Sequence, residues 1–398
     1  MLLDRFIRYV KVDTQSDEDS STTPSTLKQL DLLKILKSEL DALGVSNELD
    51  EYGRLYGYIP GNDSLDSIGL CSHVDTALEC SGKNVNPQVI KDYDLSAIPL
   101  GKSSLVLSPK TCKKLNSLKG KTLITTDGTT LLGADDKAGV AIIMEVVEQV
   151  LKLDASKRHP MYILFTPDEE IGRGPEHFDT SKFKCKYAYT LDGADPHEIS
   201  YENFNAKSAD IVIKGRSIHP GSAKGVMINA SLVLAEFVSM LPKDMIPSKT
   251  EGREGFNHLC HMDGNVEVAH ANYIIRNHSK EIINKQVQDF ENIKDTLLKK
   301  YPGVEISLTI KDQYQNMYEV IKDHRECLDH IEKVFSRLGL TLKASPTRGG
   351  TDGATFSFLG VPTPNLGTGS YNHHGRYEFA VLEEMEELVK ISTEIFKA

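Results

Sequence analysis

Between residues 205 and 313 the pattern reads strand, helix, strand, strand, helix, strand, and that order constrains the fold more than any other feature of the chain. SADIVIKG (208–215) reads as a buried strand, and VMINASLVLAEFVSML as a helix of sixteen residues. GNVEVAH and NYIIRNH read as two strands meeting at 269–272. SKEIINKQVQDFENIKDTLLKKY is a second helix and VEISLTI a last strand. A β-α-β-β-α-β unit of this kind closes as a four-stranded sheet, the ferredoxin-like arrangement. It is expected to stand as its own module at 205–313, inserted into a larger discontinuous domain formed by 1–204 and 314–398.

The flanking segments alternate differently. Residues 26–43 carry leucines at helical spacing, and IGLCSHVDT is a short apolar run that ends in polar residues. LLGADDKAGVAIIMEVVEQVLK has a helical apolar stripe from Val140 to Leu151, so Asp135 and Asp136 fall at or just before a helix N-terminus. MYILF and KYAYTLDGAD read as further strands, and 318–338 as one helix. Strand–helix–strand alternation of this kind predicts an α/β sheet with its site at the carboxyl ends of the strands. A length of 398 residues exceeds the roughly 100–150 of a typical single core, in keeping with two domains.

Charge and composition exclude several function classes. A net charge of −11 argues against nucleic acid, whose partners need basic faces. No apolar run approaches the ~18–20 residues of a membrane span. The start, MLLDRFIRYVKVDTQS, is charged throughout, unlike a signal peptide. Six cysteines include no CxxC pair, which argues against a thiolate zinc site and fits free thiols in a reducing cytoplasm. GKSS at 101–104 lacks the upstream glycine of a phosphate loop, since position 96 is Ser.

The chemistry gathers at the ends of the apolar runs. His73 and Asp75 stand in SHVDT and, as i and i+2, point the same way on a strand. Asp135 and Asp136 stand in GADDKAG, Glu169 and Glu170 in TPDEEIG, Asp192 in TLDGAD, and His373 and His374 in NHHGRYEF. Imidazole with carboxylate and no sulfur suits Zn²⁺, Co²⁺ or Mn²⁺ in a hydrolytic centre. Each feature also has a plainer reading. A DEE after a strand makes a solvated turn, Asp136 serves as a helix N-cap, and His219 before Pro-Gly is a turn histidine. Arg276 on a strand face suits a surface ion pair.

The strings GADDKAG, FTPDEEIG, IHPGSAKGVMINA, RGGTDGA and NHHGRYEF occur in one order along the chain. In them the sequence resembles the di-zinc metallopeptidases that include succinyl-diaminopimelate desuccinylase and the glutamate carboxypeptidases. The resemblance implies a mixed-sheet di-zinc exopeptidase-like catalytic domain with an inserted ferredoxin-like lid or dimerisation domain. It implies two Zn²⁺ per subunit, with Co²⁺ or Mn²⁺ as substitutes: His73 on one ion, His374 on the other, Asp135 bridging, and Glu170 and Asp192 each completing one. The family's last histidine ligand directly precedes a glycine, which selects His374 over His373. Glu169 becomes the general base and Asp75 the support of the His73 ring, while His219, Arg276 and Arg348 contact substrate. The implied activity is release of the N-terminal residue from short peptides, above all tripeptides, by a cytoplasmic homodimer. A carboxypeptidase or N-acyl amino acid amidohydrolase shares this chemistry, and a peptide-binding pseudoenzyme is the alternative of another class.

Overall fold

The computed structural model describes residues 1–101 and 103–398; Lys102 of the GKSS stretch lies outside them. The described residues form two compact units. The larger comprises Met1–Tyr201, Glu319–Ser345 and Thr351–Ala398, and the smaller Glu202–Tyr318 with Pro346–Gly350.

The larger unit is built on an eight-stranded mixed sheet. Its order runs Ser46–Leu49, Leu55–Ile59, Met161–Thr166, Ile68–His73, Tyr187–Gly193, Asn365–Gly367, Glu198–Ser200, Lys343–Ala344. The four central strands, Met161–Thr166 through Asn365–Gly367, are mutually parallel. Every residue of Ile68–His73 is buried, as expected of a strand covered on both faces. One face carries the apolar helix Ala134–Leu151, against which Leu2–Val10 and Leu382–Ile395 also pack. The other is covered by Phe178, Phe183, Phe356 and Val361, which meet Tyr56, Cys71, Leu164 and Ala188.

A second, antiparallel sheet of the larger unit has the order Ser370–Tyr371, Phe379–Val381, Leu123–Thr125, Gln88–Ile90. Its pairing of Phe379 with Thr125 brings the segment containing His374 beside the one that leads into Asp135. The helix expected over 318–338 is two, Tyr318–Ile321 and Glu326–Leu338. Backbone bonds from Asp323 to Val320 and from His324 to Ile321 close the first helix, and its apolar stripe resumes only at Cys327.

The smaller unit is an all-antiparallel sheet of order Phe256–Gly264, Val268–Asn277, Asn205–Lys214, Glu305–Tyr314, with helices Ala230–Met240 and Lys280–Lys300. Ala209, Ile211, Ile213, Ala271, Tyr273 and Ile275 form its inner face, and the helices contribute Val233, Leu234, Phe237, Phe290, Ile293 and Leu297 to the same core. Two expectations are corrected. The hairpin does not turn at 269–272, because Val268–Asn277 is one continuous strand. The turn lies at 265–267, where Asn265 Oδ1 accepts the N–H groups of Glu267 (2.8 Å) and Val268 (3.1 Å). The first helix has eleven residues rather than sixteen, since the Asn229 side chain caps its start and Ile228 pairs with Arg216 instead.

Candidate metal centre

The centre lies where the parallel strands of the larger unit end. His73 closes the strand Ile68–His73 and is 2% exposed. Its Nε2 is 3.0 Å from Asp135 Oδ1, 3.6 Å from Asp192 Oδ1 and 3.9 Å from Glu169 Oε2. On the other side of Asp135, His374 Nε2 is 3.4 Å from Asp135 Oδ2 and 3.1 Å from Glu170 Oε2. Among the described residues, His73, Asp135 and Asp192 form one group whose donor atoms lie within 4.8 Å of one another, and Asp135, Glu170 and His374 form a second. Asp135 belongs to both. His373 also approaches Asp135, with Nδ1 3.5 Å from Oδ2, but its Nε2 is 2.9 Å from Ser370 Oγ and it joins neither group.

Local structure explains how the ligand atoms are aimed. Gly133 adopts φ 77°, and Asp135 (φ −84°, ψ 103°) and Asp136 (φ −119°, ψ 32°) are non-helical, so the helix proper starts after the two acids. Asp136 Oδ1 accepts the Gly139 N–H at 3.2 Å, the N-cap role its position suggested, and Oδ2 accepts the His73 N–H at 3.3 Å. In TPDEEIG, bonds from Gly172 N to Glu169 O (2.7 Å) and from Arg173 N to Asp168 O (2.8 Å) close a turn that directs Glu169 toward His73 and Glu170 toward His374. Asp168 does not cap this turn. With φ 60° its buried carboxylate accepts instead from Ser25 N (2.7 Å), Ser25 Oγ (2.5 Å) and Gln29 Nε2 (2.6 Å). Asp75 does more than face the His73 ring. Its Oδ1 lies 3.2 Å from His73 Nδ1 and accepts the Glu169 N–H at 3.0 Å, and Oδ2 accepts the Glu170 N–H at 3.2 Å.

The electrostatics are those of a crowded acidic site. Burial pushes Glu169 well above the usual carboxyl range, with His73 opposing and Asp192 reinforcing the shift. Burial also raises Glu170 to about 7 against its bond to His374, and raises Asp192 beside Asp135. Burial alone would raise Asp135 too, but His373, His374 and His73 hold it well below its ordinary value. Bonds to Asp135 and Glu170 lift His374 to about 11. These are more buried carboxyls than the facing imidazoles neutralise. Among the described residues Glu170 Oε1 is buried without a hydrogen-bond partner. An orphaned carboxylate oxygen beside imidazole, with no sulfur, suits a divalent cation, so the residues present fit metal ions.

His219, Arg276 and Arg348 belong to the smaller unit. His219 Nδ1 accepts the Gly221 N–H at 3.1 Å, capping the short turn Pro220–Ser222. Arg276 lies over the Tyr314 ring at 5.3 Å and donates to the carbonyls of Lys207 and Ile275. Arg348 donates to Gly252 O, Glu254 O and Thr250 Oγ1 and lies over Phe204 at 5.0 Å. Three further acids surround the centre without having been singled out in the sequence. Glu79 Oε1 is 3.3 Å from His374 Nδ1, buried Asp352 accepts from Thr166 Oγ1 at 2.8 Å, and buried Glu378 accepts from backbone near Asp135. Asp352 and Glu378 stand inside the strings RGGTDGA and NHHGRYEF, so membership of those strings was the available signal.

Comparison with known proteins gives the centre a lineage. The sequence profile of Peptidase family M20/M25/M40 matches residues 126–398. Peptidase T of Clostridium perfringens is 48% identical over 397 residues, covering 99% of this chain and 98% of that protein. The crystal structure of the aminopeptidase PepT from Bacillus cereus superposes with a TM-score of 0.79 at 22% identity, covering 99% of this chain and 96% of that one. A tripeptidase from Staphylococcus aureus superposes with a TM-score of 0.78 at 22% identity, covering 100% and 97%. With a strand-end cluster of this geometry, a profile match over most of its length and full-length identity near one half, the chain belongs to Peptidase family M20/M25/M40.

Proposed function

We propose that the protein is a zinc-dependent aminopeptidase that releases the N-terminal residue of short peptides, tripeptides above all. The observation that carries this reading is Asp135, one carboxylate shared by two ligand groups, with Glu169 alongside. The name peptidase T on full-length relatives supports the substrate class. His73, Asp135 and Asp192 would hold one ion, and Asp135, Glu170 and His374 the other; Co²⁺ or Mn²⁺ suits the same donors. Bound divalent ions polarise a carbonyl and lower the pKa of water toward ~7.

The chain's own residues supply the rest. Asp75 Oδ1, facing His73 Nδ1, would accept its N–H and so leave Nε2 for an ion. By accepting the N–H groups of Glu169 and Glu170 it also locks the turn that separates base from ligand. Glu169, near His73 but in neither ligand group, takes the proton of the attacking water and returns it to the leaving amine. His219, Arg276 and Arg348 are assigned to the substrate, the arginines to the far carboxylate of a short peptide. The same reading includes pairing of subunits through the smaller unit. It also includes a cytoplasmic setting, with which the six free cysteines agree.

Glu169→Gln is expected to retain bound metal while turnover falls ~10²–10⁴-fold. Metal analysis beside a peptide-length series checks this. Wild-type rates in the variant would remove Glu169 from its role, and full-rate cleavage of N-acetylated peptides would remove the aminopeptidase assignment.

A further inference from the structure

Glu378 is not among the proposed ligands, yet it is 1% exposed and makes three bonds to one short stretch of backbone. Its Oε2 accepts the N–H groups of Leu132 (2.7 Å) and Gly133 (2.8 Å), and its Oε1 accepts that of Asp135 (2.9 Å). These donors precede or open the helix Ala134–Leu151, where backbone N–H groups have no intrahelical acceptor. Gly133 and Asp135 are non-helical, so an acceptor must come from elsewhere in the chain. Glu378 supplies it from the loop that carries His374, and its own N–H closes that loop by donating to Gly375 O at 3.2 Å. The next residue, Phe379, pairs with Thr125 in the small sheet, so both segments are also held at their bases.

From this geometry we infer that Glu378 is a positioning residue: one carboxylate ties the backbone of Asp135 to the His374 loop and thereby sets the spacing of the two ion sites. The inference rests on the proposed reading of the centre as a pair of ions sharing Asp135. The acceptor-only chemistry of a carboxylate is essential. A glutamine of the same size has a single acceptor atom, and its amide N–H₂ would meet either the Asp135 N–H or those of Leu132 and Gly133. Displacing the Asp135 backbone moves Oδ1 relative to His73 and Oδ2 relative to His374 together.

The test uses the full chain stripped of metal and titrated with CoCl₂, followed by calorimetry and by electron paramagnetic resonance of the bound ions. The wild type is expected to take up two equivalents as a magnetically coupled pair. Glu378→Gln is expected to bind the second equivalent ~10–100-fold more weakly and to lose the coupling. Coupling and affinity equal to wild type would overturn the inference even if the melting temperature fell, because that is the result of a merely structural tie. If Glu378→Gln does not fold, Glu378→Asp carries the same comparison: the charge stays but the reach shortens, weakened coupling is expected, and a wild-type signature overturns the inference. A wild-type protein that binds no pair would instead overturn the reading of the centre, and this inference with it.

Discussion

Gly139 determines how near the Ala134–Leu151 helix approaches the strands. A Cβ there would lie 2.0 Å from Leu191 O, 2.4 Å from Ser72 Oγ and 2.5 Å from Asp136 Oδ1. Two of these are strand-end atoms and the third caps the helix, so no single side-chain rotation relieves the clash. Gly139→Ala is expected to cost about 1–3 kcal/mol of stability, measured by denaturant unfolding, and to weaken metal uptake because His73 is bonded to Asp136. At this scale the sequence was largely legible. Each proposed ligand follows an apolar run or a glycine, and a fixed side-chain alternation leaves few choices of direction. What it hid were acceptors of backbone N–H groups. Asp75 was read for its ring contact, but its bonds to Glu169 and Glu170 depend on a fold that brings two strand ends together. Glu378 serves donors 243 to 246 residues away, and no local pattern marks such a partner.

At the scale of elements, the smaller unit shows why order was readable and boundaries were not. The order strand, helix, strand, strand, helix, strand matches the expectation, but the mostly exposed strand Phe256–Gly264 carries no period-two pattern to mark it, and the two expected hairpin strands fall on the turn and the single strand Val268–Asn277. The hairpin turn expected at 269–272 falls inside a strand, at Asn272. Asn272 is an ordinary outward position of a half-buried strand, bonded to Asp210 Oδ1 at 2.5 Å. The true signal was the Gly264–Asn265 pair, a turn dipeptide. The helix Lys280–Lys300 holds its unit through Phe290, which is fully buried against Tyr273 and Phe237. Phe290→Ala is expected to destabilise the smaller unit by ~3–5 kcal/mol, read as a lowered unfolding midpoint for that unit in urea. Metal content should be unchanged, since every proposed ligand lies in the larger unit.

The whole molecule divides its labour along the same line. Each unit has its own apolar core, so calorimetry is expected to resolve separate unfolding transitions. Because ions bound only to the folded larger unit stabilise it by mass action, EDTA should lower that transition by several degrees and leave the smaller unit's unmoved. Equal shifts in both would show that metal holds more than the larger unit. No described helix is long and apolar enough to cross a membrane. The larger unit is discontinuous in sequence, and this has a consequence for synthesis. His73, Asp135 and Asp192 leave the ribosome early, but His374 and Glu378 emerge only after the entire smaller unit. During translation the early acids and histidine therefore lack their last partners, so the two proposed ligand groups would be complete only after the late segment has emerged.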